Sequence, residues 1–213
     1  MSQINNTSKV FFISDSHFGH KNIIKYSGRP FETVKEMDEA LISNWNARVQ
    51  PEDTIYHIGD FAFGDGSKDP GKYFNRLNGK KHLVLGNHDN KKAINLDWES
   101  VGSMSEISVG KQRIVLCHYA MRVWHHSYRG VWQLFGHSHG SLPENNTLAF
   151  DVGVDVWNYS PVSFEEVKRK MEWKQKNSGY FIPFSNQNDE VRSEEGMVKS
   201  RLDTTKLNKD FYK

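Results

Sequence analysis

The stretch His82-Leu83-Val84-Leu85-Gly86-Asn87-His88-Asp89 decides how this chain is read. An apolar run, the mark of a strand covered on both faces, stops at a glycine, and an amide, an imidazole and a carboxylate follow it side by side. Four other runs end in the same manner. Val10-Phe11-Phe12-Ile13 leads to Asp15 and His17, and Thr54-Ile55-Tyr56-His57-Ile58 leads to Asp60. Ile114-Val115-Leu116-Cys117 leads to His118, and Val131-Trp132-Gln133-Leu134-Phe135 leads to His137 and His139. Five strand ends therefore carry one chemistry, that of groups able to bind metal.

At 213 residues the chain suffices for one sizeable core, expected over residues 1–175, with a polar, Asn-, Ser-, Lys- and Glu-rich extension over 176–213. Lys plus Arg number 28 against 26 Asp plus Glu, so nothing in the charge balance demands a nucleic acid. The lone Cys117 excludes an intramolecular disulfide framework and suits a reducing compartment. No run approaches the roughly 18 apolar residues of a membrane span, and Met1 to Lys9 is polar. A cytoplasmic protein without membrane association is expected.

Between the strands the pattern changes. Thr33-Val34-Lys35-Glu36 has the form of a capping box, and Met37, Leu41 and Trp45 continue at helical spacing, predicting a helix over 33–49. Asp69-Pro70 opens a short helix carrying Tyr73, Phe74 and Leu77, which Asn78-Gly79 stops. Residues 90–103 have no clear assignment. Glu106 to Val109 and Gln112 to Cys117 read as a hairpin about Gly110-Lys111, and Leu148 to Val156 as a strand. Ser163 to Glu166 repeats the capping-box pattern and opens a helix with Val167, Met171 and Trp173 inward. Asp15 and His17, two apart, share one side if their backbone is still extended.

Together, Asp15-Ser16-His17, Gly59-Asp60, Gly86-Asn87-His88-Asp89, His118 and Gly136-His137-Ser138-His139 resemble the five signature blocks of the calcineurin-like metallophosphoesterase superfamily, in the family's order. The resemblance covers residues 15–139. It implies an α/β sandwich of two mostly β sheets flanked by helices, with a dinuclear metal site at the strand ends. Carried over by position, Asp15, His17 and His139 would bind one ion, Asn87, His118 and His137 the other, and Asp60 would bridge them. His88 would face the substrate and protonate the leaving oxygen, a task suited to an imidazole's pKa. The implied reaction is in-line attack on a phosphoester by a metal-bridging hydroxide. Manganese is the first expectation for the two divalent ions, with Fe, Zn or Ni as alternatives, since mixed His, Asp and Asn ligands do not select by softness.

One departure narrows the substrate. Superfamily members that act on phosphoproteins carry an Asp and an Arg soon after the Gly-Asp block and end the next block in Glu; here Phe61-Ala62-Phe63-Gly64 follows, and the later block ends in Asp89. A small or nucleotide-like phosphodiester is the expected substrate, with phosphomonoesterase, nuclease and non-catalytic metal-stabilised scaffold as alternatives. His20, Arg29, Trp124 and His125 are candidate substrate contacts, each set against an ordinary loop or packing role. Asp65 and Asp89 are the candidates for orienting His88, and Asp155 for supporting His137 or His139.

Overall fold

The runs that read as covered strands form the centre of two sheets. In the computed structural model, which describes residues 8–143 and 145–177, the first sheet holds β1 (Val10–Ile13), β2 (Thr54–His57), β3 (Lys80–Val84), β4 (Ser100–Gly102) and β9 (Val162–Ser163). Its order is β4-β3-β2-β1-β9. The pairs from β1 to β4 are parallel, and only β9 runs antiparallel to its neighbour. The second sheet, in the order β5-β6-β7-β8, contains β5 (Met104–Val109), β6 (Gln112–Cys117), β7 (Trp132–Phe135) and β8 (Ala149–Asp151). The hairpin β5–β6 is antiparallel, and β6, β7 and β8 are mutually parallel.

Alternation along β1 divides the core in two. Phe11 and Ile13 face a cluster with Met37, Leu41 and Trp45 of the long helix α2 (Val34–Arg48), while Phe12 joins Ile114, Leu116 and Leu134 of the second sheet. A strand sandwiched in this way must be apolar on both sides, which accounts for its unbroken run. Helix α5 (Phe164–Asn177) adds Val167 and Met171 to the second cluster. Two mixed sheets flanked by helices is the expected architecture.

Both long helices begin as predicted. Thr33 accepts from the Glu36 amide at 3.1 Å, and Glu36 reaches back one residue further than a strict box, to the Glu32 amide at 2.9 Å. At α5, Glu166 accepts from the Ser163 amide at 2.8 Å, completing the reciprocal form. Trp173 departs from expectation: it is 54% exposed, while Lys174 is 1% exposed. The helical phase through Val167 and Met171 falls on position 174, so periodicity outranks hydrophobicity there.

Several elements are new. Helices α1 (Lys21–Tyr26) and α4 (Lys91–Ile94) are six residues or shorter, whereas α3 (Gly71–Phe74) is the short helix expected after Asp69-Pro70, ending at Phe74 so that Leu77 follows it. The unassigned 90–103 segment becomes α4, capped by Asn90, and then β4, which extends the first sheet. The strand expected over 148–156 is regular only through Asp151; Gly153 makes a single bridge to Ser14. Helix α5 runs past the expected boundary at 175 through Lys176 and Asn177, and the rest of that extension lies outside the described residues. Among the described residues no helix is long and apolar enough to cross a membrane.

Candidate metal centre

Parallel pairing brings the polar blocks together. Ile13 lies opposite His57, and His57 opposite Leu83, so the residues that follow β1, β2 and β3 emerge at one sheet end. The blocks after β6 and β7 emerge together for the same reason. Backbone bonds then tie block to block. The Asp15 amide donates to Gly59 O at 3.0 Å and the His17 amide to Asp60 O at 3.0 Å. The His137 amide donates to the Asp15 carboxylate at 2.9 Å, and the His88 amide to Asp60 Oδ1 at 2.9 Å.

The backbone here is strained. Asp15 (φ 58°), His17 (50°), Asp60 (60°), His137 (66°) and His139 (47°) all adopt the left-handed conformation. Asp15 and His17 are therefore not extended, and loop curvature rather than strand alternation directs them. Such residues cost on the order of 1–3 kcal/mol each and persist where the surroundings over-determine them, typically at functional sites. Close approach adds a second constraint: a Cβ at Gly86 would land on the Asp60 carboxylate, and one at Gly136 on Ser14 and Asp15.

Two groups of ligand atoms result. Asp15, His17 and His139 form one and Asp60, His118 and His137 the other, with the atoms of each group all within 4.8 Å of one another. Asp60 Oδ2 lies 3.5 Å from His17 Nε2 and 3.4 Å from His118 Nε2, between the two groups. Asn87 Oδ1 lies 3.2 Å from His118 Nε2. His118 Nδ1 donates to Ile58 O at 2.8 Å, which turns Nε2 toward the carboxylate and the amide oxygen. Both ring nitrogens of His17 are buried without a hydrogen-bond partner among the described residues. Converging acceptors and an orphaned buried imidazole are the donor set a divalent cation satisfies.

Electrostatics agree with this. Burial pushes the Asp15 carboxyl up to about 7, against the opposing charges of His118 and His139. Burial also drives His17 well below the usual histidine range. For Asp60, burial opposes ionisation, but the hydrogen bond and charge of His118 hold the carboxyl well below the usual carboxylate range. His118 rises to about 9, burial being outweighed by its bond to Asp60 and the charge of Asp15. Without a cation, His118 itself takes up the positive charge.

A cleft of about 730 Å³ opens above the two groups, lined by His20, Tyr26, Phe63, His88, His137 and His139 among others. The His88 ring stands 4.2 Å from Phe63 and 5.5 Å from His17, centroid to centroid. His20 lies on the same wall, 4.7 Å from Phe63. Arg29 is placed elsewhere: it is 4% exposed, and its guanidinium binds Asp155 and the backbone oxygens of Asp15 and Ser16. Trp124 is buried and donates to Val131 O at 2.9 Å. His125 is exposed and pairs with Glu106 at 2.7 Å. Asp89 accepts from the amides of Asp60, Phe61 and Gly86, and Asp65 pairs with Lys68 at the surface; neither bonds the His88 ring among the described residues. Asp155 accepts from His139 Nδ1 at 2.7 Å.

Tyr119 belongs to the aromatic- and cation-rich loop after His118, whose composition marks it in the sequence as a candidate substrate wall. Its ring lies 4.8 Å from His137, and its hydroxyl is 3.5 Å from Asn87 Oδ1. The buried Gln133, whose amide bonds Tyr119 O at 2.9 Å and Met121 N at 3.1 Å, fixes that loop. Position immediately after a block histidine is a further signal for Tyr119.

Residues 9–156 match the family described as the calcineurin-like phosphoesterase superfamily domain. The chain belongs to this superfamily. Its relatives include the uncharacterised protein MJ1445 of Methanocaldococcus jannaschii, 32% identical over 171 residues that cover 77% of this chain and 92% of the relative. The gene 66 protein of Mycobacterium phage L5 is 25% identical over 183 residues, covering 70% and 88%. Among solved structures, the protein of unknown function AQ665 from Aquifex aeolicus shares this fold at a TM-score of 0.62, with 24% identity and coverage of 77% and 100%. A phosphoester substrate and metal-binding clusters of the dinuclear type are the superfamily's properties that this chain has the residues for.

Proposed function

We propose that this protein is a metal-dependent phosphodiesterase acting on a small or nucleotide-like diester. In this reading Asp15, His17 and His139 hold one divalent ion, Asn87, His118 and His137 hold a second, and Asp60 lies between them. Bound ions would neutralise the phosphoryl oxygens and lower the pKa of a water molecule, the two obstacles to phosphoester hydrolysis near neutral pH. Manganese is the first metal to test.

The chain's own groups do the rest. His88, reaching the cleft between Phe63 and His17, holds a proton at a ring nitrogen for the departing ester oxygen. His20 donates a hydrogen bond to the substrate from the same wall. Burial, with the neighbouring charges of His88 and Arg29, lowers the pKa of His20, which favours its neutral form. Tyr119 covers the His137 side.

The observation that carries the choice of a diester is the lining of the cleft. Its polar members are imidazoles, hydroxyls and an amide, and Ile23, Tyr26 and Phe63 supply an apolar wall. A singly charged phosphodiester with an organic substituent on each side suits such a wall better than a dianionic monoester, which calls for further fixed cations.

The test is hydrolysis of paired aryl phosphodiester and phosphomonoester substrates by metal-stripped protein, with Mn²⁺ restored, beside Asp60→Asn and His88→Ala. Metal-dependent diester turnover that both variants lose is the expected result. Preference for the monoester would overturn the diester reading; two bound ions with no turnover of either substrate would favour a binding scaffold.

A further inference from the structure

We propose that Arg29 is a positioning residue of the metal centre: its guanidinium clamps the first and last ligand blocks together and, through Asp155, sets which nitrogen His139 offers to a cation. The proposal rests on the metal-binding reading above.

Arg29 sits in the turn Gly28-Arg29-Pro30 between α1 and α2 and is almost wholly enclosed. Its Nε and Nη2 donate to the two Asp155 oxygens at 2.8 and 2.9 Å, a forked pairing that only a guanidinium makes. Nη2 also donates to Asp15 O at 2.7 Å, and Nη1 to Ser16 O at 3.1 Å. Those carbonyls belong to the segment in which Asp15 and His17 are both left-handed. One side chain thus braces the strained loop that presents two ligands.

The other end of the network reaches a third. Asp155 Oδ2 lies 2.7 Å from His139 Nδ1, and Asp155 is 126 residues from its partner Arg29. The two carboxylate oxygens are held by the guanidinium fork, so the proton of this bond belongs to His139 Nδ1. Nε2 is then the free nitrogen, and it faces Asp15, 4.0 Å from Oδ1. A carboxylate behind a ligating imidazole fixes its tautomer and ring angle, and loss of such a partner weakens metal binding roughly 10–100-fold. Every nitrogen of Arg29 is engaged inward, which separates this role from substrate binding.

The experiment is calorimetric titration of the full chain with Mn²⁺, comparing the parent with Arg29→Met, Arg29→Lys and the double variant Arg29→Met/Asp155→Asn. The double variant leaves no buried charge unpaired, so it guards against misfolding of the single one. Nitrogen NMR of the zinc-loaded parent reports the His139 tautomer without any substitution. Two ions in the parent, one of them bound roughly 10–100-fold more weakly in every variant and the other within about twofold, is the expected result, with His139 protonated on Nδ1. Variants that lose folding stability yet keep both parent affinities would overturn the clamp, as would a His139 protonated on Nε2. A parent chain that binds no ion would overturn the metal reading itself.

Discussion

Asp60 is the residue on which the two ligand groups meet, and its setting shows how tightly the centre is specified. Its φ is 60°, its Oδ1 accepts from the His88 amide, and the space beside it exists only because position 86 is glycine. Gly86→Ala should displace that carboxylate and lower stability by about 1–3 kcal/mol, read from denaturant midpoints, together with metal affinity. Unchanged metal affinity in a folded G86A protein would show that Asp60 is not held there. His88→Ala makes the complementary case. Its amide survives the substitution, so metal content should stay at the parent level while diester turnover falls roughly 10²–10⁴-fold. Much of this was legible, because glycine followed by His, Asp or Asn after an apolar run is a pattern with few structural explanations. The inward engagement of Arg29 was not: the sequence offers it as a candidate substrate contact, and its position before Pro30 gives no sign of a carboxylate 126 residues away.

At the scale of elements, the strands and the two long helices could be read because burial on both faces or a 3.6-residue period marks them. The Ser163–Glu166 box makes a quantitative claim. Ser163→Ala removes the hydroxyl that bonds Glu166 Oε2 at 2.7 Å and caps its amide, and should cost about 1 kcal/mol in urea unfolding. No measurable change would mean that α5 is held by Val167 and Met171 alone. Short elements escaped the sequence for a physical reason. Helix α1 buries only Ile23 and β4 buries none of its three residues fully, so neither carries a periodic signature; sheet pairing and loop packing create them.

For the whole molecule, protons and metal compete for the same groups. In the metal-free protein His118 is raised to about 9, above its unfolded value of 6.5. Its stabilising contribution is therefore complete below pH 6.5 and is lost as pH rises through 9. Asp15, raised to about 7, is ionised in both states over the upper part of that window and adds little slope there. Chelator-treated protein should lose stability between pH 7 and 9, by no more than about 1.4 kcal/mol per pH unit from His118. Metal binding must displace the His118 proton, so affinity for Mn²⁺ should rise over the same interval. Thermal melts with and without metal would thus separate as pH increases; melts that converge would contradict the assignment of His118.

The central claim is that strand ends of both sheets converge on two cation sites sharing Asp60. Anomalous X-ray scattering from crystals soaked in Mn²⁺ tests it most directly. The account predicts two peaks ~3.5–4 Å apart, one beside Asp15, His17 and His139 and one beside Asn87, His118 and His137, with Asp60 between them. A single peak, or peaks away from these residues, would contradict it.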